Sequence, residues 1–313
     1  MKILVTGGLG HIGSKLIREY AKREDIELIR IIDNLLTQRY SSLFNLPTNK
    51  KYQFIEGDIL NQEILKKALK DIDVVIHLAA ITDAPSTLNK REETFKVNLE
   101  GTKLILEESA KVGIKKFLFP STTSVYGEAQ GLVNEECKDY KPSSPYAESK
   151  LEAEKLVKEA WKKIGLNTNV LRLGTIFGAS PGMRFHTAVN KFVYQACLNK
   201  PLTVWENALN QKRPYLDLDD AISAFQFLEK QGVPGELYNI LTENYTVQEI
   251  IDSIKKQVPD VKIELTKSPI LNQKSYHVSN DKIKSVGFQF KGNLSQAIKE
   301  TKELFNAIDN SEE

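Results

Sequence analysis

The sequence predicts an α/β protein: a doubly wound parallel sheet followed by a smaller C-terminal α/β lobe. Three observations predict it. Short β-branched, apolar runs alternate with amphipathic helical stretches through residues 1–174; the first run closes on a glycine-rich turn that opens a helix; and 313 residues, 41% hydrophobic and 27% charged, suffice for the cores of two lobes. Strands alternating with helices pair in parallel through right-handed crossovers, so helices cover both faces of the sheet in the Rossmann arrangement.

Each element has its own signal. Lys2 to Thr6 is a β-branched run ending at Gly7-Gly8, and Ile12, Leu16, Ile17, Tyr20 and Ala21 follow at helical spacing. Glu27 to Asp33 and Tyr52 to Glu56 read as strands, Asn61 to Lys70 as a helix, and Asp73 to Leu78 as a buried strand. A long helix from about Leu88 to Val112 and a strand from Lys116 to Ser121 come next. Ser144 to Ile164 is a helix expected to turn Ala147, Leu151, Leu156, Val157, Ala160, Trp161 and Ile164 inward and to stop at Gly165, and Asn169 to Leu173 is the following strand. After Gly174 the texture becomes mixed. Gly178 to Gly182 is loop, Thr187 to Leu198 helix and Pro201 to Trp205 strand; Thr246-x-x-Glu249 is a capping box opening a helix to Gln257, and Asn293 to Asn306 is the last helix. The reading therefore assigns residues 1–174 to the first lobe, with 215–242 returning to it, and 175–313 mainly to the second.

Composition narrows the function. The 43 Lys and Arg nearly cancel the 41 Asp and Glu, leaving +2, so no basic excess points to a nucleic acid. Cys137 and Cys197 show no C-x-x-C spacing and, with only four histidines, make neither a disulfide framework nor a metal site. A reducing, cytoplasmic compartment is expected. No apolar run reaches the roughly 18 residues that cross a bilayer, so no membrane partner is expected. Met1-Lys2 leads into the first strand with no signal-peptide core, and the polar end Asp309 to Glu313 is expected to be unstructured.

Gly7-Gly8-Leu9-Gly10-His11-Ile12-Gly13 lies between the first strand and first helix, where amides at a helix N-terminus hold a pyrophosphate. Asp33 ends the second strand, twenty residues beyond Gly13, where a carboxylate accepts from a ribose diol and repels a 2′-phosphate, favouring NAD over NADP. A strand-end turn residue is the plain alternative for Asp33, and Arg30 and Arg39 nearby could pair a phosphate. Tyr146 and Lys150, four apart on a predicted helix, project from one face about a turn apart. A phenol with a pKa near ~10 is a poor base at neutral pH; an adjacent ammonium and an oxidised nicotinamide favour the phenolate.

With these marks the chain resembles the extended short-chain dehydrogenase/reductase family, in particular the NAD-dependent epimerases and dehydratases of nucleotide-sugars, a group that includes the UDP-glucose 4-epimerases. The resemblance runs over essentially the whole length, through Thr6 to Gly13, Asp33-Asn34-Leu35, Gly57-Asp58-Ile59, His77-Leu78-Ala79-Ala80, Asn98 with Gly101-Thr102, Ser121 to Gly127 and Tyr146-x-x-x-Lys150. It implies that Gly7, Gly10, His11, Ile12, Gly13, Asp33 and Asn34 bind NAD, together with Asp58 and Ile59 at the adenine, Leu78, Ala79 and Ala80 along the cofactor, and Asn98. It further implies that Lys150 bonds the nicotinamide ribose and that Thr122 is the catalytic hydroxyl beside Tyr146. Each has a bland alternative: Asp58 as a turn residue, His77 as a core histidine, Thr122 as a strand-end hydroxyl, Asn98 as an ordinary helix residue.

Oxidising a secondary alcohol needs a base and a hydride acceptor, here Tyr146 and NAD. Family 4-epimerases pass through a transient 4-keto sugar and keep their cofactor, whereas 4,6-dehydratases carry an Asp-Glu pair after the catalytic Thr. Thr123 and Ser124 stand there instead, and hydroxyls cannot replace that acid-base pair. Epimerisation is therefore the first expectation, with a dehydratase of other regiochemistry, a 4-keto reductase, or a non-catalytic NAD-sensing regulator as alternatives. For a nucleotide-diphosphate sugar the resemblance offers Asn190 and Arg213 at the diphosphate and Val204 with Trp205 at the base, with Thr123 beside the sugar. Two departures stand out: Thr175 replaces a substrate-contacting Asn, and Pro214 replaces the Asp that commonly follows the arginine. The segment 180–186 adds Arg184 and His186, each able to meet sugar or phosphate. The family's habit of pairing through the Tyr/Lys helix implies a homodimer.

Overall fold

The computed structural model describes residues 1–127, 129, 131–267 and 276–308; the polar end from Asp309 lies outside the described residues. β1 (Lys2–Thr6), α1 (His11–Ala21), β2 (Leu28–Asp33), β3 (Lys51–Glu56), α2 (Gln62–Leu69) and β4 (Val74–His77) follow the predicted alternation within one or two residues. The long helix does not begin at Leu88. A 3₁₀ turn occupies Ala84–Thr87, α3 (Arg91–Phe95) starts later, and a π-helical turn, Lys96–Glu100, separates it from α4 (Gly101–Val112). Leu88 closes the 3₁₀ turn instead of opening a helix, and Lys90, at φ −131° and ψ 38°, leaves the helical region just before α3.

β5 (Lys116–Thr122), a short strand β6 (Gly131–Val133), α5 (Pro145–Ile164), β7 (Thr168–Leu173) and β8 (Thr175–Phe177) come next. Ser144 caps α5 by accepting from the Ala147 N–H at 3.2 Å, Pro145 fills its first position, and Gly165 ends it at φ +68°. Trp161 and Ile164, expected to face inward, are exposed, because the last turn of α5 runs past the helix and sheet residues that bury Ala153, Val157 and Ala160. Beyond lie α6 (Ala188–Cys197), β9 (Leu202–Trp205), β10 (Lys212–Asp217), α7 (Leu218–Gln231), β11 (Leu237–Ile240), β12 (Glu243–Thr246), α8 (Val247–Lys255), β13 (Ile263–Thr266), β14 (Tyr276–Val278), α9 (Asp281–Ser285) and α10 (Leu294–Glu303).

The seven-stranded sheet runs β11-β7-β5-β4-β1-β2-β3, with every neighbouring pair parallel. Alternate residues of its strands feed opposite cores: Ile3 and Val5 pack with Leu16, Ile17 and Phe225, while Leu4 packs with Leu65, Ile105 and Val157. Smaller sheets, β12-β10-β8 and β13-β9, build on a third core of α6, α8 and α10 residues such as Phe192, Ile250 and Ile298. Strand order reverses between β4 and β1, which opens a crevice at the carboxyl ends of the strands.

Candidate active site

One cavity of about 500 Å³ occupies that crevice, walled by the glycine turn, the loop after β4, the ends of β5 and β7, and the first turns of α5. The glycine turn is fixed by close approach. A Cβ on Gly7, at φ +64°, would sit 2.7 Å from the Ala79 backbone, and one on Gly13 would sit 2.6 Å from Gly8 Cα. Gly10 caps α1 without a side-chain acceptor, so the helix N-terminus formed by His11, Ile12 and Gly13 meets the cavity uncapped. The Arg39 guanidinium reaches within 3.9 Å of where a Gly10 side chain would begin, and Arg184 lines the same cavity. An open helix N-terminus flanked by two guanidinium groups fits a pyrophosphate.

His11 faces the other way. Its Nε2 lies 2.8 Å from Gly178 O, and burial drives its pKa down to about 4, so the neutral ring donates that bond and ties the turn to the second lobe. Ser180 Oγ donates to His11 O at 2.9 Å and Gly182 N–H to Ser14 Oγ at 3.0 Å, which seats the 178–182 segment on the glycine turn.

Leu78 and Ala80 line the cavity, whereas Asp33, Asn34, Asp58, Ile59, Ala79 and Asn98 do not form its wall. Asp33 accepts from the Leu9 and Leu35 amides at 3.1 and 3.0 Å, and Asn34 Nδ2 donates to Asp58 Oδ2 at 3.1 Å, a polar group at the ends of β2 and β3. Asn98 is buried, its amide shared between the Ile81 backbone and Ser149.

Tyr146, Lys150 and Thr122 converge on the cavity. Burial holds the Tyr146 phenol above its ordinary pKa, opposed by the positive Arg184 and by a hydrogen bond with Thr122. Thr122 Oγ1 accepts from Ser124 N–H at 3.1 Å, which leaves its own proton to give. Lys150, 3% exposed, has its Nζ 4.5 Å from the Phe119 ring centre; burial lowers its pKa to about 7, with Glu154 opposing. Burial thus disfavours both the phenolate and the ammonium, and each would favour the other as its counter-charge.

Of the substrate candidates, Thr123, Thr175, Arg184, His186 and Arg213 line the cavity. Arg184 donates to the Thr82 hydroxyl, and Arg213 stacks 5.1 Å above Tyr276 while donating to Gln211 Oε1 at 2.9 Å. Asn190 and Val204 are placed elsewhere. Asn190 is fully buried, accepting from Gly178 N–H at 3.1 Å and donating to Arg184 O at 3.0 Å, so it shapes the loop instead of facing the cavity. Val204 is only 1% exposed, its side chain packed in the core with Phe192 and Ile250 of α6 and α8. Thr82, Asp83, Tyr215 and Tyr276 line the cavity without having been singled out from sequence. Thr82 and Asp83 follow a strand at the carboxyl edge, a signal that was readable; Tyr276 arrives through the distant pairing of β14 with β6, which no local pattern announces.

A doubly wound sheet with a glycine turn at its order reversal, facing a helix that presents Tyr and Lys a turn apart, defines a nicotinamide-dependent enzyme of the extended short-chain dehydrogenase/reductase class. The chain belongs to the NAD dependent epimerase/dehydratase family, whose model matches residues 3–240. It is 30% identical over 318 residues to a dTDP-D-glucose 4,6-dehydratase of Mus musculus, covering 97% of this chain and 88% of that one. Among solved structures it resembles the UDP-glucose 4-epimerase of Thermotoga maritima (TM-score 0.88, 25% identity, 97% and 98% of the two chains). It also resembles the UDP-glucuronic acid 4-epimerase of Bacillus cereus (TM-score 0.86, 29% identity, 98% and 100%). NAD is accordingly the cofactor. Among the described residues no cluster could hold a metal ion, and no helix is long and apolar enough to cross a membrane.

Proposed function

We propose that the protein is a nucleotide-sugar 4-epimerase that works through a transient 4-keto sugar and retains its NAD. The observation that carries this reading is the convergence of Tyr146, Lys150 and Thr122 on the cavity that the glycine turn opens into, with hydroxyls and no carboxylate at 123 and 124. Bound NAD supplies the hydride acceptor and, through its cationic ring, the charge that favours a phenolate. Tyr146 takes the proton of the sugar hydroxyl, Thr122 donates to the same oxygen as it becomes a carbonyl, and Arg184 helps hold the phenol's pKa down. Lys150 would orient the ribose and, as the ammonium that the phenolate's negative charge favours, supports the phenolate. Arg213 meets the diphosphate, and Thr123 and Thr175 border the sugar.

A dehydratase bears the name of the mouse relative, yet Thr123 is buried with its hydroxyl donating to Leu173 O at 3.3 Å, so it has no acid to offer. We extend the reading to a homodimer formed through α4 and α5, whose C-terminal ends expose Val112 (47%), Trp161 (38%) and Ile164 (58%). The test is a panel of UDP-, dTDP-, GDP- and CDP-sugars. One of them raises the unfolding midpoint by mass action and is converted to a product of unchanged mass. Loss of water or gain of two hydrogens from that ligand, or no stabilisation by any, overturns the proposal.

A further inference from the structure

His77, at the end of β4, is completely buried below the cavity, and the two partners of its ring settle its tautomer. Thr102 gives its single hydroxyl proton to Asn98 O at 2.6 Å, so toward His77 Nε2, 3.1 Å away, it acts as acceptor. Nε2 therefore carries the proton. Nδ1 is left as a lone pair that accepts from Thr6 Oγ1 at 2.7 Å, and the Thr6 oxygen accepts in turn from the Ala79 N–H at 3.2 Å. On the other side, Asn98 sits in the π-helical turn, accepts from Ile81 N–H at 2.8 Å, and donates to Ile81 O at 2.9 Å and Ser149 Oγ at 3.0 Å. Ser149 Oγ donates to Tyr146 O at 2.8 Å. Hydrogen bonds thus run from the amide of Ala79 to the backbone carbonyl of Asn98, and from the Asn98 side chain on to the carbonyl of Tyr146, the two runs joined through Asn98 itself.

A satisfied core histidine would need only to fill space and pair its nitrogens. This one does more, because its two ring partners belong to the two sides of the site: Thr6, bonded to Ala79, lies behind the glycine turn, and Thr102, bonded to Asn98, lies on the helices packed on α5. Gly7, whose Cβ position is occupied by the Ala79 backbone, presses the same segment from the cofactor side. Phe119 completes the coupling, with Lys150 Nζ 4.5 Å from its centre and the His77 ring stacked 6.1 Å away at 27°. Burial and the Lys150 charge keep the imidazole neutral, with a pKa near 3, so the polarity of the chain does not change across the working pH range.

We propose that His77 is a positioning residue: its Nε2–H tautomer locks the segment Ala79–Ile81 and the helix carrying Tyr146 and Lys150 to one buried point, setting cofactor and base relative to each other. The proposal rests on Tyr146 being the base, and its test separates the two. His77→Asn keeps an acceptor where Nδ1 stood, His77→Gln keeps a donor where Nε2 stood, and His77→Phe fills the space with neither. Each full-length variant is measured for its dissociation constant for NAD, for kcat and KM on the sugar nucleotide the wild type accepts, and for its unfolding midpoint. His77→Phe is expected to weaken NAD binding about tenfold and to lower kcat about 100-fold, with KM for the sugar nucleotide held within about twofold. His77→Asn recovers most of the NAD affinity but not kcat, and His77→Gln recovers more of kcat than of affinity. NAD affinities within about twofold of wild type in all three variants, or Asn and Gln variants whose losses are alike and follow only the unfolding midpoint, overturn the proposal. A wild type that binds NAD but epimerises nothing sinks the catalytic reading, while the NAD-affinity arm still reports on His77.

Discussion

Lys150→Met in the NAD-free protein is expected to raise stability, in a way that depends on pH. Lys150 is only 3% exposed, and its ammonium sits over Phe119 with no ion pair to a carboxylate among the described residues. Burial brings its pKa from 10.5 to about 7. At about 1.36 kcal/mol per pKa unit, that displacement corresponds to roughly 5 kcal/mol against the charged form, and relaxation around the site reduces it to an expected 2–4 kcal/mol. The sign follows from linkage. Between pH 7 and 10.5 the unfolded chain binds the proton that the folded chain has released, so wild-type stability rises with pH across this window, and below pH 7 the full cost is present. Methionine fills similar space and cannot be charged. Urea unfolding of both NAD-free proteins at pH 6, 8 and 10 should show the variant more stable by roughly 2–4 kcal/mol at pH 6, the gap closing towards pH 10. A gap that is constant with pH, or a variant less stable at pH 6, would refute the view that this cation is retained for chemistry at the expense of stability.

Three further outcomes are expected. Tyr146→Phe should lower kcat by about 10³, within the range of a lost general base, while NAD affinity measured by calorimetry changes little. Gly13→Ala drives a Cβ to 2.6 Å from the Gly8 backbone, which has no side chain to yield, so it should cost about 1–3 kcal/mol in urea unfolding and weaken NAD binding. Glu154→Gln removes one partner of a buried pair, Arg172 with Glu154 at 2.6 and 2.9 Å, and should cost about 3–5 kcal/mol; the Glu154→Leu, Arg172→Met double variant should recover most of that loss.

The elements that sequence reveals best are those with strong local signals. The strand and glycine turn at Lys2 to Gly13 and the capped helix from Pro145 to Gly165 stand where periodicity and capping put them. The crossover pattern suffices for the parallel sheet, because alternation and handedness leave few other topologies. Long-range placement was the unreadable part. β6 pairs with β14 and β9 with β13, across more than 60 residues each, and the Ile263–Thr266 strand alternates apolar and polar residues over only four positions, with Ile263 and Leu265 themselves exposed, too short and too little buried a run to announce its partner. The site divides the same way. Tyr146, Lys150, Thr122 and the glycines converge because each rides on an element whose direction the sheet dictates, whereas Asn190 is taken up by loop 178–186 and Val204 turns into the core beneath α6 and α8. Tyr276 joins the cavity only through tertiary pairing.

The central claim is that hydride leaves and returns to one carbon within a closed site. It is tested most directly with a sugar nucleotide deuterated at C4, turned over by the NAD-loaded protein in ordinary water and followed by NMR and mass spectrometry. The expected product is an epimer that still carries deuterium at C4, at unchanged mass, with no reduced cofactor released. Deuterium lost to solvent, a product lighter by one water, or reduced cofactor accumulating in step with product would contradict it.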